Sequence, residues 1–75
     1  MRKIRLSPLA GKILFLLEEA GQENLLCLRA TLGCSEQDLQ DGIRQLRRLG
    51  FVIDAFEGGL PAVSLTDNGR AALNR

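Results

Sequence analysis

The chain has 75 residues, a formal net charge of +1 and charged side chains at 25% of its positions. This length predicts one domain over residues 1–75 with a small core, and excludes two domains. The near-neutral charge alone favours neither a nucleic acid nor an acidic partner. The 45% hydrophobic content excludes a disordered chain.

Other classes of function are disfavoured by what the sequence lacks. It has no histidine, and Cys27 and Cys34 do not have the spacing of a metal site. It also lacks a phosphate-binding glycine loop and enough chain to wall a substrate pocket. The longest apolar run, residues 13–17, is too short to cross a bilayer. We expect no enzyme activity, no catalytic residue, metal or cofactor, no membrane partner, and a location in a reducing cytoplasm.

The first predicted helix covers residues 8–20. Ser7 can cap it, and Pro8 suits the first helical position because the N–H that proline lacks has no helical partner there. Gly21 should end the helix. Five residues at helical spacing predict one apolar face that packs in the core: Leu9, Ile13, Leu16, Leu17 and Ala20.

Two more helices are predicted over residues 24–32 and 36–49, joined by a tight turn at residues 33–35. Asn24 and Ser35 can cap them by accepting hydrogen bonds from the first turns. Two helices joined in this way form a helix-turn-helix. The link between the first and second helices, residues 22–24, can also pair as a strand of one or two residues.

The helix at 36–49 has one apolar stripe at helical spacing and is followed by Gly50, which can adopt the left-handed conformation that ends a helix. The stripe should pack against the other helices. We expect five residues to be buried together where the three helices meet: Leu16, Leu28, Leu39, Ile43 and Leu46.

The C-terminal part of the chain predicts a β-hairpin. Residues 51–56 and 60–65 are rich in valine, isoleucine, phenylalanine and leucine, and a glycine-containing turn separates them. Thr66 can cap a last helix over residues 67–73. Three helices followed by a hairpin predict an α+β fold, a winged helix-turn-helix. We expect four hairpin residues to pack on the helices: Phe51, Ile53, Val63 and Leu65.

Two stretches resemble known regulators. Residues 31–53 resemble the N-terminal winged-helix domain of biotin operon repressors; they read T-L-G-C-S-E-Q-D-L-Q-D-G-I-R-Q-L-R-R-L-G-F-V-I. Residues 65–73, L-T-D-N-G-R-A-A-L, are similar to the segment after the wing in MarR-like bacterial regulators. The resemblance covers residues 9–73 and implies a DNA-binding transcription regulator of bacteria. The catalytic region of biotin ligases is absent, so their activity is not implied.

In a helix-turn-helix protein the second helix places exposed side chains in the major groove of double-stranded DNA. Glutamine suits adenine edges, and arginine suits guanine or phosphate. A homodimer is expected if the chain acts alone, because operators read by such domains are commonly two-fold symmetric. The exposed face of helix 36–49 carries the candidate DNA-binding residues: Gln37, Gln40, Arg44, Arg47 and Arg48.

Two features of the sequence oppose DNA binding. Asp41 lies in the middle of that face, and residues 51–69 contain no lysine or arginine, although phosphate neutralisation supplies much of the affinity for DNA. A basic arm, Arg2, Lys3 and Arg5, can compensate if it lies near the duplex.

The alternative function is a winged helix used for protein–protein interaction or dimerisation without DNA binding. The arginines would then belong to an ordinary solvated face, with Asp41 and Arg44 as a helix-spaced charge pair. Such a module would expose a connected apolar patch, for example Leu14, Phe15 and Phe56.

Overall fold

A computed structural model describes residues 6–74 of the chain. The predicted basic arm, Arg2, Lys3 and Arg5, lies outside the described residues. Within them the helices are α1 (Pro8–Ala20), α2 (Leu25–Leu32), α3 (Glu36–Arg48) and α4 (Asp67–Leu73), and the strands are β1 (Gln22–Asn24), β2 (Val52–Glu57) and β3 (Leu60–Leu65).

α1, α3 and α4 begin where the sequence predicts them and α2 begins one residue later; a polar side chain precedes each helix. In each cap the side-chain oxygen accepts a hydrogen bond from the backbone N–H three residues further on, at 2.7–3.1 Å. These confirmed caps are Ser7, Asn24, Ser35 and Thr66. Each of the first three helices is followed within two residues by a glycine with positive φ, as predicted: Gly21, Gly33 and Gly50.

The three strands form an antiparallel sheet in the order β1-β3-β2. The tip of the wing is a two-residue turn in which Gly58 and Gly59 have φ of 60° and 81°, values that only glycine adopts readily. β2 begins at Val52, one residue later than predicted, and β1 is three residues long. The α+β fold is a winged helix-turn-helix, as predicted.

The core lies between the three larger helices and the sheet. Four of the five residues predicted to meet there are buried: Leu28, Leu39, Ile43 and Leu46. The prediction for Leu16 is wrong, because Leu16 is only partly buried and Leu17 is fully buried. The buried face of α1 consists of Ala10, Ile13, Leu14 and Leu17, so α1 is rotated relative to the predicted stripe.

The wing contributes Phe51, Val63 and Leu65 to the core, as predicted, but not Ile53. Ile53 is 56% exposed, whereas Val52 beside it is 1% exposed. Phe51 precedes the strand, so the alternation of side chains between the two faces of the sheet begins at Val52 rather than at Phe51.

The start of α4 is tied closely to the turn between α3 and β2. The Thr66 hydroxyl donates to the Gly50 carbonyl oxygen at 2.6 Å, and the Thr66 backbone N–H donates to the Phe51 carbonyl oxygen at 3.0 Å. A Cβ on Gly69 would lie 2.3 Å from that same Phe51 oxygen. Only glycine therefore fits at this position of α4.

Replacing Gly69 by alanine should lower the free energy of unfolding by about 1–3 kcal/mol, because the added methyl overlaps backbone that cannot move aside cheaply. Gly11→Ala is the matched control, since a Cβ at Gly11 has nothing within 4 Å. The control should gain up to about 1 kcal/mol from helix propensity. Urea unfolding of both variants measures the difference; equal midpoints would contradict the close approach.

Candidate nucleic-acid interface

One side of α3 is committed to the core. Its buried residues are Leu39, Gly42, Ile43 and Leu46. A Cβ on Gly42 would lie 3.0 Å from Cδ1 of Ile13, so α1 and α3 are closely packed here. The backbone N–H of Ser7 also donates to Oε1 of Gln45 at 3.1 Å, which ties the start of α1 to α3. The opposite side of α3 faces solvent.

The structure brings the five predicted site residues together along α3. Four of them are exposed, and Gln40 is half-buried beside the core stripe. The exposed members are Gln37, Arg44, Arg47 and Arg48. Three of these four side chains are hydrogen-bonded to an acidic residue, and two acidic residues are involved.

The first of these acids is Asp41, in the middle of the face. Its Oδ1 accepts hydrogen bonds from Nε2 of Gln37 at 3.1 Å and from Nη1 of Arg44 at 3.4 Å. The side chains of Arg44 and Asp41 are 61% and 55% exposed. An ion pair this exposed adds little to stability, so the contact chiefly orients the two donors.

The second acid is Asp54, which lies on β2 rather than on α3. Its Oδ1 is 2.7 Å from Nη2 of Arg47. The pair joins the middle of the wing to the last turn of α3. Asp54 is missing from the site that the sequence predicts, because no local spacing relates it to Arg47; only the folding of the wing against α3 brings them together. Arg47 therefore already has a carboxylate partner.

The charges of α3 and the wing largely cancel. α3 carries three arginines and three acids, while β2 and β3 together add Asp54 and Glu57 and no cation. Within residues 6–74, Arg48 is exposed and has no ion-pair partner. Arg48 is thus the arginine of this face with the least competition for a phosphate.

A separate apolar surface lies between α1 and α2. It is a groove of about 540 Å³ whose lining includes Phe15, Leu16 and Leu32, with Lys12 as its cation. Phe15 is 66% exposed, and Phe56 on the wing is 73% exposed. The predicted patch is wrong in one member, since Leu14 is 3% exposed and belongs to the core.

Residues 6–74 contain no group of three histidine, cysteine, aspartate or glutamate side chains placed to hold a metal ion. No described helix is long and apolar enough to span a membrane. Cys27 and Cys34 are both free thiols.

The fold has a counterpart among solved structures. No protein-family profile matches the sequence, and neither does any curated protein sequence. The chain is similar to the crystal structure of AbfR of Staphylococcus epidermidis, with a TM-score of 0.82 and 19% identity over 92% of this chain and 49% of that one. The chain therefore spans about half the length of the AbfR chain.

The fold of AbfR is a winged helix. At this level of identity the likeness defines the winged-helix fold. The resemblances of residues 65–73 to MarR-like regulators and of residues 31–53 to biotin operon repressors both stay predictions.

The Arg47–Asp54 pair should contribute less than about 1 kcal/mol to stability, because both side chains are well solvated. A double-mutant cycle of Arg47→Gln and Asp54→Asn, followed by urea unfolding, measures the coupling. The coupling should shrink as salt is raised. A coupling above about 2 kcal/mol, insensitive to salt, would instead mean that this pair holds the wing in place.

Proposed function

We propose that the chain is the DNA-binding module of a bacterial, cytoplasmic transcription regulator, and that residues 1–75 form one winged-helix domain. Helix α3 contacts the major groove of double-stranded DNA. The observation that carries this proposal is the solvent-facing side of α3, which bears arginine and glutamine in a fold shared with a winged-helix regulator.

The dimensions and side chains of α3 suit this role. A helix with its side chains is about 10–12 Å across and the major groove is about 12 Å wide, so α3, with 13 residues and a length of about 20 Å, can lie in the groove. Gln37, Gln40 and Arg44 lie early enough in α3 to face base edges, and Arg47 and Arg48 lie late in it, where they contact the phosphate backbone.

The acidic wing affects how strongly the affinity for DNA should depend on salt. Asp54 and Glu57 face a phosphate backbone without a cation on either wing strand, so the wing adds no counterion release. Affinity then depends on α3 and on the basic arm, which lies outside the described residues. The salt dependence should be shallow for a DNA-binding protein, and a second copy bound at a second half-site would raise the affinity.

Arg48→Ala should weaken binding to every duplex and reduce the slope of log K against log salt by about one, because one phosphate contact is lost. Arg70→Ala is the matched control, since Arg70 is an exposed arginine on α4. Titrations of mixed-sequence duplex at several salt concentrations compare the two variants. If the parent shows no salt-dependent binding, or both variants behave alike, α3 is not the DNA-contacting helix.

A second candidate function is a protein-interaction or dimerisation module, favoured by the groove between α1 and α2. Phe15 is exposed beside a leucine-lined groove, and removing this apolar surface from water would lower the free energy. The groove contains no residue of α3 or of the wing. A second copy of the chain can therefore cover it without hiding the proposed DNA-binding face.

If the groove mediates self-association, Phe15→Glu should leave the chain monomeric at concentrations where the parent forms dimers. Phe56→Glu is the control, because Phe56 is equally apolar and comparably exposed but lies on the wing. Sedimentation velocity at high micromolar concentration measures both. A monomeric parent, or a dimer that survives Phe15→Glu, would rule out self-association through this groove.

A further inference from the structure

The acid at the centre of the α3 face is the feature that phosphate binding leaves unexplained. A carboxylate close to a duplex opposes binding, yet Asp41 is held in place by two donors rather than turned away. Both donors use the same oxygen, Oδ1. Within residues 6–74 its other oxygen, Oδ2, accepts no hydrogen bond and belongs to a half-exposed side chain.

We propose that Asp41 and Arg44 together read one C·G base pair in the major groove, with Oδ2 of Asp41 accepting from the N4 amino group of cytosine and Arg44 donating to O6 and N7 of its guanine. This inference rests on the proposed function, since it names what the DNA-contacting helix selects. Asp41 is then the residue that determines specificity at that base pair.

The chemistry of the two side chains matches that base pair group for group. A carboxylate can only accept, and a guanidinium can only donate. Across the major-groove edge of a C·G pair, cytosine offers a donor directly beside two guanine acceptors. The 3.4 Å contact between Arg44 and Asp41 likewise places an acceptor and a donor side by side on one helix.

The same two side chains disfavour the other base pairs. With guanine or thymine at the first position, O6 or O4 would face the Asp41 carboxylate, acceptor against acceptor. With adenine there, the N6 amino group satisfies Asp41, but Arg44 meets thymine, which has one acceptor and a methyl group. The negative charge thus lowers affinity for all DNA and raises selectivity, as a repulsive element does.

Gln37 acts as a positioning residue in this arrangement. Its Nε2 donates to Oδ1 at 3.1 Å, and Arg44 donates to the same atom. With Oδ1 occupied from both sides along the helix, Oδ2 is the oxygen left for a base.

The test is selection of preferred sequences from a randomised duplex pool by the parent and by Asp41→Asn, followed by titration of the selected duplexes. The parent should favour cytosine at one position by about ten-fold or more. Asp41→Asn should reduce that preference several-fold, because an amide can donate to O6 or O4 as well as accept from N4, while the retained Arg44 still disfavours adenine. Arg44→Ala should relax the preference at the same base pair.

Asp38→Asn is the matched control, because it removes the same charge from an exposed residue of the same helix. It should raise general affinity slightly, as Asp41→Asn does, and keep the parent's base preference. If Asp41→Asn keeps the cytosine preference, or if Arg44→Ala affects a different base pair, the inference is wrong while DNA binding stands. A parent that binds no duplex in a salt-dependent way would overturn the proposed function itself.

Discussion

The close packing of α1 on α3 decides which residues this protein can present to a partner. At Gly42 the absence of a side chain lets Ile13 of α1 lie against the α3 backbone, and Leu39, Ile43 and Leu46 fill the surrounding core. Because the side chains on opposite faces of a helix point in opposite directions, burying this stripe exposes the other face to solvent. The polar and charged residues of α3 are displayed as a consequence of that contact.

Acidic residues contact most of the polar and basic side chains on the exposed face of α3. Asp41 holds Gln37 and Arg44, and Asp54 of the wing holds Arg47. Each of these three contacts orients a side chain and reduces its attraction to phosphate. Because all three are exposed to solvent, none of them contributes much to the stability of the fold. If α3 contacts DNA as proposed, its affinity depends less on counterion release and more on how well its donors and acceptors match a base sequence. The groove between α1 and α2 remains separate from this surface.

Local signals in the sequence were sufficient for the elements and their order. Ser7, Asn24, Ser35 and Thr66 cap helices because a short polar side chain can satisfy the N–H three residues on, whatever the rest of the chain does. Glycines with positive φ mark three helix ends and the tip of the wing for the same local reason. The strong stripe of α3 likewise specified its own buried face.

Tertiary structure decided what local periodicity leaves ambiguous. α1 is apolar on much of its surface, so its pattern alone did not separate Leu16 from Leu17 or reveal that Leu14 is buried; its packing against α3 did. The start of β2 at Val52 turned Ile53 outward, because a shift of one residue exchanges the two faces of a strand. The contact between Arg47 and Asp54 exists only because the wing folds back on α3. A pairing between a helix and the strand that follows it is not visible in the periodicity of either element.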